Sequence, residues 1–101
     1  MDVIKVRTDA NPAKVAGAIA KAIRKLDYNP VGQVEVRAVG ERATYLASRA
    51  IEKARGFLAD EAPDGYELST SIVSECVELS GKDNLTIVFQ LGWQQKRNEV
   101  A

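Results

Sequence analysis

Apolar and polar residues alternate at the start of the chain, with Ile4 and Val6 set against Lys5 and Arg7. This is the two-residue period of a short half-buried strand over Asp2 to Arg7. The period then changes. Val15, Ile19, Ala22, Ile23 and Leu26 recur at spacings of three and four, with Lys14, Lys21, Arg24 and Lys25 between them, which predicts an amphipathic helix reaching about Leu26. Its start is marked by Asn11, suited to cap a helix, and by Pro12, whose missing amide hydrogen costs nothing at a first helical position. Gly17 sits inside this helix and is expected to mark close packing against a neighbour, which would offset its propensity cost of about 1 kcal/mol. Asp27 to Gly32 reads as a loop.

A second strand follows, with Val34, Val36 and Ala38 on one side and Gln33, Glu35 and Arg37 on the other, and Gly40 ends it. From Ala43, the positions Leu46, Ala47, Ala50, Ile51, Ala54 and Leu58 keep helical spacing for about four turns. Asp60 to Gly65 is a surface loop, and Tyr66 to Leu79 contains a third strand rich in β-branched residues. Ser80 to Asp83 forms a hairpin connection to a fourth strand with Leu85, Ile87, Phe89, Leu91 and Trp93 on one face. The order is β-α-β-α-β-β. Right-handed crossovers put both helices on one face of a four-stranded mixed sheet, an α+β fold of the two-layer α/β sandwich type. The other face stays open, lined by Lys5, Arg7, Glu35, Arg37, Glu75, Thr86 and Gln90. Residues 1–93 are expected to form one domain, and 94–101, with no pattern, a frayed tail.

Composition narrows the functions available. At 101 residues the chain suits one core without disulfides or metal, and no apolar run is long enough to cross a bilayer. The first residues, MDVIKVRTD, lack the basic region and apolar core of a secretory signal and Cys76 has no partner cysteine, so a reducing cytoplasm is the expected location. Fourteen Lys plus Arg balance fourteen Asp plus Glu, so attraction to nucleic acid must come from a local patch. The chain has no histidine, the most frequent general base and metal ligand, and nothing points to an enzyme, a cofactor or a small-molecule substrate.

Candidate chemistry gathers around the second helix. Gly40 and Arg42 stand at a strand-to-helix turn, where unpaired amides and a guanidinium suit a phosphate; an ordinary turn with a solvated arginine fits the same residues. Tyr45, Arg49 and Lys53 form a basic stripe with one aromatic, open to nucleic acid, to a partner subunit or to solvent alone. Asp60, Glu61 and Asp64 lack the spacing of a calcium loop and read as hydrated carboxylates. Cys76 is expected to be a small buried strand residue, and Trp93 a core or interface residue.

The run from Asn11 to Ala20, reading NPAKVAGAIA, resembles the first-helix signature of the stage V sporulation protein S family, and Ala54-Arg55-Gly56-Phe57 resembles its second. The resemblance spans about residues 3 to 91. That family is similar in fold to Alba, the archaeal nucleic-acid-binding protein, and to the C-terminal domain of translation initiation factor three. Val39 to Ala43 is similar to Alba's Arg-Gly-Arg-Ala turn, keeping Gly40 and Arg42 but with Glu41 between them.

The resemblance implies a dimer or higher homo-oligomer that presents the first loop, the turn before the second helix and the hairpin tip to DNA or RNA. The first loop, Thr8 to Asn11, lacks Alba's lysine pair and carries Asp9. Transferred to this chain, the expected contacts are Arg7, Lys14, Arg37, Gly40, Arg42, Arg49 and Lys82. A regulatory role in sporulation, development or the cell cycle is implied with them. The competing reading is a protein-interaction module that binds no nucleic acid, which Asp9, Glu41 and the balanced charge favour.

Overall fold

A computed structural model describes residues 2–29, 31–62, 64–79 and 81–95, with side chains for all of these except 77–79 and 82–84. The elements are β1 (Asp2–Val6), α1 (Pro12–Arg24), β2 (Val34–Val39), α2 (Gly40–Leu58), β3 (Tyr66–Leu79) and β4 (Lys82–Gln95). They form one four-stranded sheet in the order β1-β2-β4-β3. β1 and β2 run parallel and the other two pairings are antiparallel.

Local chemistry sets the helix starts. Asn11 is extended and its side-chain oxygen accepts the Ala13 amide at 3.0 Å, with Pro12 opening α1. α2 has no such cap. β2 passes straight into it through Val39, which offers no side-chain bond, and Gly40 makes the change of direction at φ +85. Two hydroxyls then turn back onto the α2 backbone, Thr44 donating to the Gly40 carbonyl at 2.7 Å and Ser48 to that of Thr44 at 2.9 Å.

Both helices lie on one face of the sheet, because the buried residues of β1, β2 and β4 on that face (Val6, Val34, Val36, Phe89, Leu91 and Trp93) join one cluster with the helices. Ala16 and Ala20 of α1 and Ala43, Ala47, Ala50 and Ala54 of α2 are almost fully buried, and their small size lets helices and sheet approach closely. Ile19, Ile23, Leu46, Ile51 and Leu58 fill the remaining volume, each burial worth about 1.5–3 kcal/mol. Arg55 ties α2 to β3, donating to the Leu68 carbonyl and the Thr70 hydroxyl, both at 2.9 Å.

Several expectations need correction. α1 ends at Arg24 rather than Leu26. Gly17 is exposed, and an added Cβ would meet nothing within 4 Å, so it marks no close packing. β4 continues to Gln95, paired with Tyr66, so strand structure passes two residues into the expected tail; residues 96–101 lie outside those described. Cys76 is exposed. Its partner in register is Leu85, one residue before Thr86, where the pairing of β4 with β2 ends, so this outer part of the hairpin has no β2 beneath it.

Candidate functional site

β1 and β2, being parallel, end side by side. Beyond them, the loop after β1 and the end of β2 at Val39 border an open cleft of about 670 Å³. Lys5, Arg7, Asp9 and Arg37 supply its charges, Thr8 and Thr86 its hydroxyls, and Val6, Val39 and Ala43 its apolar wall. Arg7 and Arg37 are thus brought to one place. Lys5 and Thr86 line the same cavity, although the sequence marked them only as residues of the open sheet face.

The charges here differ in state. Arg37 reaches over β4, with one guanidinium nitrogen 2.6 Å from Glu75 on β3 and another 3.3 Å from Glu35 on its own strand. This bridge covers the open face at its middle, where Val88 stands opposite Arg37 and Thr86 opposite Glu75. Thr86 is consequently 4% exposed and Val88 2%, despite lying on the face away from the helices. Arg37 is a fixed, compensated charge. Among the described residues, no carboxylate lies within 4 Å of Lys5 or Arg7, and no cation within 4 Å of Asp9.

α2 carries a second group. Gly40 and Arg42 stand at its uncapped start, where the first-turn amides have no side-chain partner and the positive end of the helix dipole favours an anion; Glu41 offsets part of that field. Arg42 and Arg49 are two turns apart on one side, about 10 Å along the axis, and Lys53 continues the line one turn further. Arg49 lies 5.9 Å from the centre of the Tyr45 ring, a cation–π contact on the surface. Glu52, the acid beside this line, is drawn to Arg55 at 3.4 Å. None of Arg42, Arg49 and Lys53 has a carboxylate within 4 Å among the described residues.

The remaining expected contacts stand apart. Lys14 is exposed on α1. Lys82 opens β4, four residues beyond the end of the β2 pairing and so about 13 Å past it; its side chain lies outside the described residues. Between α2 and the outer hairpin runs an apolar groove of about 540 Å³, lined by Gly40, Glu41, Thr44, Tyr45, Leu85 and Ile87. Tyr45 and Leu85 are each 53% exposed there, and Ile72 on the neighbouring strand 63%. Alternation marked Leu85 as a core residue, but neither α1 nor α2 covers it.

At the opposite end of the sheet the charges are paired. Arg24 holds Glu61 through two hydrogen bonds of 2.8 and 2.7 Å, and Tyr28 donates to the Glu61 carbonyl at 2.6 Å. The guanidinium hydrogen bonds hold the Glu61 carboxyl below its ordinary range and raise Arg24 above its own. The described residues contain no cluster of His, Cys, Asp and Glu able to hold a metal, and no described helix is long and apolar enough to cross a membrane.

The structure of Alba from Thermoplasma volcanium is similar to this one with a TM-score of 0.56 at 15% identity, covering 90% of this chain and 99% of that one. At that identity the likeness speaks for the fold alone. The element order, sheet topology and helix placement described above are those of an Alba-like sandwich. The model of the stage V sporulation protein S family matches residues 2–94. Because that match runs through every element of the sandwich, the chain belongs to the stage V sporulation protein S family.

Proposed function

We propose that this protein is a non-enzymatic, dimeric regulator in sporulation or development that binds the backbone of DNA or RNA. The observation that carries the reading is the line of cations on α2: Arg42, Arg49 and Lys53 are exposed with no carboxylate within 4 Å among the described residues, and the nearby Glu52 lies closest to Arg55, at 3.4 Å. Three unpaired charges along one helix face match a row of phosphates, and Tyr45 beside them offers a stacking surface. Arg7 adds a cation at the ends of β1 and β2, Lys14 would add a separate contact from α1, and Arg37 acts as part of the cleft wall, since Glu35 and Glu75 already pair with it. Lys82 would add a contact at the hairpin tip. Binding of this kind is largely independent of sequence and falls steeply with salt, because each phosphate contact releases counterions.

The apolar groove between α2 and the outer hairpin seats a second copy of the chain. A two-fold contact through the exposed Leu85 and its neighbour Ile87 would cover apolar surface of both copies and leave Arg42, Arg49 and Lys53 free for phosphate. A dimer doubles a modest cationic line, and with it the affinity available from weak contacts.

Titration into labelled duplex DNA and into RNA, at low and moderate salt, tests the reading. The wild-type protein should bind at least one of them at low salt, and Arg42→Glu should weaken that binding by about tenfold or more. Absence of binding to both, or a variant that binds as well as the wild type, rejects it in favour of a protein-interaction module. Sedimentation of the same samples should give a dimer that Leu85→Lys converts to monomer.

A further inference from the structure

The cavity at the ends of β1 and β2 has a composition that a row of phosphates does not need. It is an open cleft of about 670 Å³, broad enough to admit a ligand larger than an inorganic phosphate. Its lining is divided by chemistry. Lys5 and Arg7 are two cations without carboxylate partners among the described residues, while the third, Arg37, is held between two carboxylates, Glu35 and Glu75, and offers no free charge. Two available cations suit one phosphate monoester. Asp9 at the rim would repel a longer polyphosphate, yet a carboxylate is a strong acceptor for sugar hydroxyls. Val39, 41% exposed, provides an apolar surface for a flat ring.

We propose that this cavity binds a ribonucleoside 5′-monophosphate group, with the phosphate between Lys5 and Arg7, the ribose hydroxyls toward Asp9 and the base against Val39. The same group can arrive as a free mononucleotide or as the phosphorylated 5′ end of an RNA strand. The inference goes beyond the backbone-binding reading and does not require it, since Lys5 and Asp9 take no part in the α2 line.

Amide NMR titrations of the full chain separate the possibilities. AMP should produce saturable shifts at Lys5 to Asp9 and Val39 to Ala43, with adenosine and inorganic phosphate each about tenfold weaker or more. Lys5→Ala should weaken AMP about tenfold, and Asp9→Asn should still bind AMP but no longer distinguish it from its 2′-deoxy counterpart. Two RNA oligomers differing only in a 5′-phosphate or 5′-hydroxyl identify the source: a preference for the phosphorylated strand without binding of free AMP assigns the site to strand ends. The proposal is overturned if the phosphate improves neither ligand, if inorganic phosphate binds as tightly as AMP, or if Lys5→Ala, with an otherwise unchanged spectrum, binds as the wild type does. Loss of both the AMP result and the 5′-phosphate preference, with binding of duplex DNA or 5′-hydroxyl RNA intact, removes this inference alone. AMP binding without binding of either duplex DNA or 5′-hydroxyl RNA removes only the α2 reading.

Discussion

The two ends of the sheet use charge in opposite ways. At the Trp93 end, Arg24 is held by Glu61 and Lys25 lies 3.9 Å from Asp2, while the Tyr28 ring packs 5.2 Å from the Trp93 ring. At the Gly40 end, Lys5, Arg7, Asp9 and Arg42 stand without an opposite charge within 4 Å among the described residues, around a large cavity and beside an apolar groove. A balance of fourteen basic and fourteen acidic residues therefore does not mean that charge cancels locally. It cancels where the fold is tied together and stands alone where the two parallel strands end, the place where open α/β arrangements leave room for ligands.

If the Trp93 end serves stability, a change there should have the largest effect. Trp93 is 4% exposed and packs against the core under Tyr28, so Trp93→Ala should destabilise the protein by about 3–5 kcal/mol in denaturant unfolding. A loss below about 1 kcal/mol would break the contrast, since Trp93 would then be a surface element like Tyr45. The comparable truncation at the other end, Leu85→Ala, removes a side chain that is already half exposed and should cost far less.

Much of this division was legible in the sequence. Alternation placed Val34, Val36 and Ala38 on the core side of β2, and Asn11-Pro12 marked the start of α1, because both signals act within a few residues. The strand-to-helix change at Gly40 was legible for the same reason. What was hidden depends on neighbours distant in sequence. The Arg37–Glu75 bridge joins residues 38 apart and needs the register of both across β4. Cys76 and Leu85 alternate like core residues but extend beyond the end of β2, so periodicity assigned their side correctly and their burial wrongly. Gly17 lies next to buried Ala16 in sequence but about 100° around the helix, on its outer side. The cavity itself needs two loops and a strand from separate parts of the chain.

The two glycines sharpen the contrast with smaller effects of opposite sign. Gly40 has φ +85 and open space around it, so Gly40→Ala meets no steric wall and its cost is the conformation alone, about 1–2 kcal/mol. Relief of that strain by unwinding the first turn of α2 would also move Arg42 and weaken duplex binding. Gly17 is exposed within a regular helix, so Gly17→Ala should stabilise by about 0.5–1 kcal/mol without changing binding. Thermal unfolding of the two variants side by side checks both signs.

The smallest expected effect tests whether the paired end relies on its charges or on its packing. Arg24 holds Glu61 below its ordinary pKa, so the folded state retains the ionised carboxylate more firmly than the unfolded state does. The unfolded state therefore binds the proton first as pH falls, and the stability from this pair, fully present above the ordinary carboxylate pKa, is lost as pH drops through the lowered value. Both side chains are about half exposed, so salt should screen the contribution and keep it small beside the loss of Trp93. Glu61→Gln should flatten the wild-type fall in stability between neutral and acid pH at low salt, and the two curves should converge in high salt. The Tyr28 bond goes to the Glu61 backbone carbonyl and survives this substitution, so a large, salt-independent loss would mean that the carboxylate itself organises the α2–β3 loop.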